Sequence, residues 1–280
     1  MILESVAIVA FALLLDFLVG DPRTKYHPTA WMGKLIASLV PFAKNNSAKK
    51  ELLGGILIVS IVVAVVSTLL VVLDVGISLL TIDIITVVVS IVIGSILLKT
   101  TIAIKGMQKH ALAVVNAVEE GDLDSARNHL SMIVKRDTKN LDKNHILSGV
   151  LESVSENTVD GVTGPLFYYA IFGLPGAFVY RAINTIDSMV GYKTTLFKNV
   201  GWFGAKCDTV LNYAPSRLTG LVMILGALIL GYNWKESLYI MKRDSRKLES
   251  PNAGFPMAAL AGALGTRLEK MNYYTIGNGG

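Results

Sequence analysis

Between Glu152 and Lys193 the chain sets carboxylates and amides directly against an aromatic, apolar run. Glu152, Glu156 and Asp160 recur at i, i+4 and i+8, a spacing that places three acids on one face of a helix. Arg181, Asn184 and Asp187 repeat the pattern at i, i+3 and i+6. Carboxylates grouped in this way can hold a divalent cation or accept a proton, and a guanidinium beside them can grip a phosphate with two bonds. Three acids alone would equally suit a solvated helix start. A second polar cluster across a membrane-grade segment shifts the balance towards a site, because such groups are expensive to keep there.

Other chemistry-bearing residues lie in turn-rich stretches. Asp16, Asp21 and His27 fall within one short segment around Gly20-Asp21-Pro22, which suits either a metal–phosphate group or a capped interfacial loop. Asp160, Asp187 and Asp208 are candidate metal or base groups. Arg181, Lys193, Lys206, Arg217 and Arg246 are candidate phosphate partners. The run Lys242, Arg243, Arg246, Lys247 beside Ser250-Pro251-Asn252 fits anion recognition and a positive-inside anchor equally. His110, His129 and His145 have no ligand spacing, and the single Cys207 excludes disulfides within the chain and cysteine-based zinc sites. Neither a Walker-type nor a dinucleotide-binding glycine motif is present, so any nucleotide would be bound unconventionally.

The elements that must position these residues are membrane-grade. The chain has 280 residues, 52% hydrophobic and 17% charged, with mean hydropathy +0.53. Soluble domains carry about 25% charge, so this composition predicts a membrane protein. The net charge of +5 comes from Lys and Arg that flank apolar runs, which argues against nucleic acid as a partner. Apolar runs are read at 2–19 (a retained span, not a signal peptide), 52–73, 77–98, 164–185 and 218–233, with a short helix carrying Trp31 at 30–40. Segments 20–51 and 99–163 hold six and eight basic residues and should be cytoplasmic, which puts the N-terminus and a turn at 74–78 outside. Within 99–163, Met107, Ala111, Val114, Val115 and Val118 form one helical stripe and Leu123, Ala126, Leu130 and Ile133 a second. Gly121 should close the first helix, Asp122 cap the next, and Asp142 or Asn144 start a third.

The expectation is an all-α, polytopic integral membrane protein with about four to five hydrophobic segments and a cytoplasmic helical insert. Its parts are 1–98 (membrane segments), 99–160 (insert) and 161–280 (a membrane-associated half carrying polar motifs). Segment 164–185 either spans or folds back at Gly173–Gly176. The preferred arrangement lets neither it nor 218–233 span simply, so that the polar motifs face one cytoplasmic cleft. Folding back would bring Asp160 and Asp187 together at one Mg²⁺.

Five ordered blocks resemble the adenosylcobinamide-phosphate synthase family of cobalamin biosynthesis (CobD/CbiB type). They are LLLDFLVGDPRTKYHP at 13–28, ESVSENTVDGVTGPLFY at 152–168, YRAINTIDSMVGYK at 180–193, NYAPSRLTG at 212–220 and SPNAGFPMAALAGAL at 250–264. The resemblance implies an ATP-dependent ligase of the cell membrane, multi-pass and with its active site facing the cytoplasm. It would join adenosylcobyric acid to an aminoalkyl phosphate, such as aminopropanol phosphate, through an amide bond. It also implies Mg²⁺ and ATP, a corrinoid substrate, contact with the lipid bilayer, and a homo-oligomer as one assembly state. Carried onto this sequence, Glu156, Asp160 and Asp187 would be catalytic. Asn157, Arg181, Asn184, Lys193, Asn212, Arg217 and Asn252 would bind substrate, and Asp160, Asp187, Asp21 and Asp208 would bind metal.

The chain departs from the family pattern at Lys206-Cys207-Asp208-Thr209, which has one acid fewer. It departs again at Leu248, where a histidine is common, and at Met257, where an acid is frequent. Relatives often continue past the Asn-Gly-Gly end into another hydrophobic segment. The competing reading is a small membrane transporter or channel for a corrinoid or other anionic solute. That reading predicts an internal repeat, which the sequence lacks. The acid-rich motif of membrane alcohol phosphotransferases is absent as well.

Overall fold

Long Val/Ile/Leu runs without interior proline or charge pairs become long helices in a computed structural model of the chain, which describes residues 2–79 and 83–278. The elements in order are α1 (Ile2–Val19), a 3-10 turn (Thr24–Tyr26), α2 (Pro28–Ala43), α3 (Ala48–Ser78), α4 (Asp83–Lys99), α5 (Ile104–Glu119), α6 (Leu123–Ser131) and α7 (Lys143–Thr158). A π turn (Val159–Thr163) leads into α8 (Gly164–Val190), α9 (Trp202–Leu211), α10 (Tyr213–Ile229), α11 (Trp234–Asp244) and α12 (Gly254–Leu264). Strands β1 (Leu268–Lys270) and β2 (Tyr274–Ile276) follow. Helical stretches beginning at Ile2, Ala48, Ile84 and Lys143 are long and apolar enough to cross a membrane by length and composition.

The chain divides into two compact units: residues 1–103 with 164–211, and 104–163 with 212–280. In the first, α2, α3 and α8 share a core of Met32, Ile36, Ile58, Val59, Val62, Val66, Phe178, Ala182 and Ile186, closed by Val190 and Val200. The short helix expected at 30–40 is part of α2. It starts on Pro28 and is capped by the His27 ring, while the Trp31 indole N–H donates to the Lys25 carbonyl at 2.8 Å. The turn expected at 74–78 is helix instead: α3 runs through Asp74 and Gly76 to Ser78. A lone helical glycine costs only about 1 kcal/mol and, without proline, does not stop an apolar run. Residues 80–82, between α3 and α4, lie outside the described residues.

Segment 164–185 folds back. Gly173 takes φ 65° and ψ −156°, backbone open only to glycine, and α8 is two limbs joined there. The Tyr168 and Tyr180 rings stack at 5.3 Å with an 18° interplanar angle. A Cβ on Gly176 would collide with the Tyr168 carbonyl, and one on Gly164 with the Tyr180 ring. In a straight helix, residues 164 and 180 would lie about 24 Å apart. The limb before Gly173 is therefore too short to cross a hydrocarbon core of ~30 Å, and the fourth apolar stretch is a helical hairpin over this part of its length. Gly164 pairs with the level of Tyr180, so Asp187 lies seven residues, about 10 Å, farther along the second limb.

In the second unit the helices of the expected insert pack in one body with residues 212–280. Val114, Val118, Ala126 and Leu130 from the two stripes meet Leu141, Ile146 and Val150 of the third helix region. Gly121 takes φ 79°, Asp122 accepts from the Ser125 N–H at 2.9 Å, and Asp142, not Asn144, caps α7 by accepting from the His145 N–H. A second core joins Ile240, Met241, Met257, Ala258 and Ala259 to Leu268 and Ile276, with Leu248 packed against it. The departures at Leu248 and Met257 are thus packing positions. Among the described residues the one sheet is the antiparallel pair β1–β2, in register Leu268↔Ile276, turning on Asn272 at φ 64°.

Candidate active site

In the first unit the Asp16–Asp21–His27 group is organised by a cation the spacing did not reveal. Lys99, at the end of α4, lies 2.9 Å from Asp21 and 3.5 Å from Asp16, whose side chain is fully buried. An ammonium holds the position between these carboxylates that a metal would need, so Asp21 is already partnered. The His27 Nδ1 accepts from the Thr29 N–H at 3.2 Å, which leaves the proton on Nε2, 4.0 Å from Asp21. A neutral imidazole in that tautomer has no free lone pair for a metal while the cap stands. Burial holds its pKa below the usual histidine value. Asp21 opposes this, and the Arg181 and Lys99 cations reinforce it.

The second polar cluster of this unit joins α8 to α9. The Arg181 Nη1 donates to Asn184 Oδ1 at 3.5 Å, and Asn184 Nδ2 donates to Asp208 at 3.3 Å. Asn184 is buried, and its fixed amide orients both a guanidinium and a carboxylate. Asp187 sits in the last turn of α8 with its carboxylate over Gly191, whose N–H bonds the Asp187 carbonyl at 2.8 Å. Lys193 and Lys206 are exposed. Burial, with Asp208 nearby, raises the Cys207 thiol pKa, so the cysteine is an inert neighbour of the acid.

The second unit divides the acids expected on one helix face. Glu152 is buried, with its carboxylate bonded to the Ser148 hydroxyl at 2.6 Å, the Tyr274 hydroxyl at 2.6 Å and Arg136 at 3.2 Å. Burial first, then the Glu152 anion, pushes the Tyr274 phenol far above its usual pKa, so it stays a donor. Glu156 and Asn157 are exposed on the same helix, Asn157 donating to the Ser153 carbonyl at 2.9 Å. Asp160 lies in the π turn, which inserts an extra residue and breaks the i+8 register, and it accepts from Asn212 Nδ2 at 3.2 Å. Beyond Asn212, Arg217 packs against the Tyr213 and Phe255 rings, its Cζ 3.5 and 4.3 Å from their centroids. The Arg217 Nη1 reaches the Tyr213 carbonyl at 2.6 Å and the buried Asn252 Oδ1 at 3.3 Å.

The structure therefore brings together Arg181, Asn184 and Asp208 in one unit, and Asp160 with Asn212 and Arg217 with Asn252 in the other. Sequence reasoning missed Lys99, Arg136 and Tyr274, which lie 78, 16 and 122 residues from the acids they serve, and Ser148, one helical turn before Glu152, which helix spacing could have found. A lysine closing an apolar helix was the one signal available for Lys99. Among the described residues no three of His, Cys, Asp and Glu group to hold a metal ion alone. Mg²⁺ commonly uses one or two carboxylates plus substrate phosphates, a role that amide-oriented Asp160 and Asp208 fit and Lys99-bound Asp21 fits poorly.

No solved structure matches the chain. A protein of Methanothermobacter thermautotrophicus named probable cobalamin biosynthesis protein CobD is 41% identical over 99% of this chain and 88% of its own length. The protein of that name in Methanocaldococcus jannaschii is 39% identical over 97% and 88%. The cobalamin biosynthesis protein CobD of Leptospira interrogans is 41% identical over 95% and 83%. Residues 9–279 match the family described as CobD/Cbib protein, and the chain belongs to that family.

Proposed function

We propose that the chain acts in cobalamin biosynthesis as an adenosylcobinamide-phosphate synthase, joining adenosylcobyric acid to an aminoalkyl phosphate. The observation that carries this reading is membership of the CobD/Cbib family over nearly the whole chain. A free carboxylate is a poor acyl donor. Transfer of the terminal phosphoryl group of ATP to it would give an acyl phosphate and ADP, and attack by the amine would form the amide and release phosphate. The incoming ammonium must first lose a proton, and Glu156, Asp160 and Asp187 are the candidate bases. Arg181, Lys193 and Arg217 supply positive charge for phosphate groups, while Asn157, Asn184, Asn212 and Asn252 supply orienting amides. Bound Mg²⁺ would neutralise phosphate charge, and Asp160 in one unit, or Asp187 and Asp208 in the other, are the candidate protein ligands. The apolar helices support a multi-pass location in the cell membrane, and the basic segments 20–51 and 99–163 support a cytoplasmic site.

The test is direct. Protein in sealed vesicles receives adenosylcobyric acid, aminopropanol phosphate and Mg·ATP, and products are read by mass. An amidated corrinoid with stoichiometric ADP is expected, together with loss of turnover in Asp160→Asn and Asp187→Asn. Formation only from the cytoplasmic side would fix the orientation. Absence of product with active, folded protein would retire the reaction.

A further inference from the structure

Arg217 differs from Arg243, another well-anchored arginine of its unit. Arg243 spends its Nε and Nη2 on Asp244 and its Nη1 on Asn278, so every edge of the guanidinium is taken. Arg217 spends only Nη1, on the Tyr213 carbonyl, the Ser216 hydroxyl and Asn252 Oδ1. Among the described residues no carboxylate pairs with it and nothing accepts a hydrogen bond from its Nε or Nη2. Its planar group is nevertheless immobilised, packed against Tyr213 at 3.5 Å and Phe255 at 4.3 Å. A long cation held rigid normally sacrifices rotamer freedom for a carboxylate partner. Here the two rings and the tethered Nη1 carry that cost, leaving a two-donor charged edge prepared for an oxyanion.

We infer that Arg217 is the receptor for a phosphate monoester, with Tyr213 and Phe255 as positioning residues that hold its guanidinium for the ligand. The inference rests on the reading that the chain handles a phosphorylated amine, and it names the group that takes the phosphate. A lipid headgroup and a soluble aminoalkyl phosphate share this chemistry.

Binding of 2-aminoethyl phosphate is measured by calorimetry on protein in nanodiscs of neutral lipid, without ATP or corrinoid. Arg217→Lys should weaken binding about tenfold, because a fork becomes a point charge. Phe255→Leu should weaken it about three- to tenfold and Phe255→Tyr should restore it, the range expected for a partly desolvated cation–ring contact. Rising salt should weaken all of these. Discs containing phosphatidic acid separate the sources: competition assigns the site to a headgroup, and its absence to the soluble phosphate. Parent-like affinity in Arg217→Lys and Phe255→Leu, or no binding by the parent, overturns the inference. The outcomes separate from those of the proposed reaction. Phosphate binding that depends on Phe255 without amide product would leave the receptor standing and retire the reaction. Full turnover and unchanged Michaelis constants in both variants would do the reverse.

Discussion

Among the described residues each unit buries one carboxylate completely, Asp16 in the first and Asp244 in the second, and the two are compensated differently. Asp244 in the second unit receives two bonds of 2.7 Å from Arg243, one of 2.7 Å from Lys247 and the Gly277 N–H at 3.0 Å. Asp16 in the first unit has Lys99 at 3.5 Å, an ammonium it shares with Asp21. One cluster sets two cations on one acid; in the other, one amine reaches two acids. Asp244 is a clamp that ties residues Gly277 and Asn278 to α11, and its cations sit next to it on the chain. The Lys99 cluster instead joins α4 to α1 and to the turn after it, across 78 residues of chain between Asp21 and Lys99. A buried acid with surplus partners secures structure. A buried acid whose cation comes from a distant helix should tolerate loss of that cation less well.

The largest effect should follow removal of that amine. Lys99→Met takes an ammonium from 2.9 Å of Asp21 and from 3.5 Å of the buried Asp16, and should destabilise the first unit by roughly 3–5 kcal/mol. Thermal unfolding in detergent measures the loss. Adding Asp16→Asn should recover much of it, since the buried anion is then gone. Single and double variants that melt with the parent would show that Lys99 is no more than a neighbour.

Asp244→Asn should cost less, at or below the lower end of roughly 3–5 kcal/mol, because Arg243 and Lys247 can turn to water. Its first sign should be faster tryptic cleavage at Lys270 as the tail detaches. The pH dependence has a definite sign. Burial pushes the Asp244 carboxyl upward, but Arg243, Lys247 and the Gly277 N–H overcome it and hold the pKa well below its unfolded value. A depressed carboxyl pKa contributes stability that is complete above the unfolded value of about 3.9 and is lost as pH falls through that value and below. Tail protection should therefore be flat from pH 7 to about 5 and decline on further acidification, and Asp244→Asn should flatten that decline. An identical acid profile in the variant would place the effect elsewhere.

The same contrast explains what could be read from the sequence. Periodicity and capping chemistry are local, so the stripes around Val114 and Leu130, the Asp122 cap and the apolar helices were legible. The basic run at 242–247 was legible too, but not its use: Arg243 and Lys247 turn onto the acid beside them, while Lys242 and Arg246 are exposed. The reversal at Gly173 could not be separated from a span, because an apolar hairpin and an apolar span have the same composition until two limbs are seen to touch. The amides that orient Asp160 and Asp208 lie 52 and 24 residues away, distances no spacing rule covers. Strands of three residues carry too little alternation to announce themselves, so β1–β2 went unread.

The smallest effect tests an intermediate case. Glu152 has one cation, Arg136, and two hydroxyl donors, Ser148 and Tyr274, and Ser148 also accepts the Glu269 N–H at 2.7 Å. Tyr274→Phe keeps the ring in its core but removes the 2.6 Å donor from Oε2, while Arg136 and Ser148 still hold Oε1. The charge remains compensated, so the loss should be that of one buried acceptor, about 1–3 kcal/mol. Phenol titration is not involved, since burial and the Glu152 anion keep the hydroxyl protonated well beyond neutral pH. The expected result is a melting temperature lowered by a few degrees at every pH between 6 and 8, with proteolysis at Lys270 moderately faster. Glu152→Gln should do more than Tyr274→Phe, because it strands Arg136 without its anion. If Tyr274→Phe proved the more damaging, the hydroxyl rather than the ion pair would hold β2 to α7, and charge compensation would no longer rank these networks.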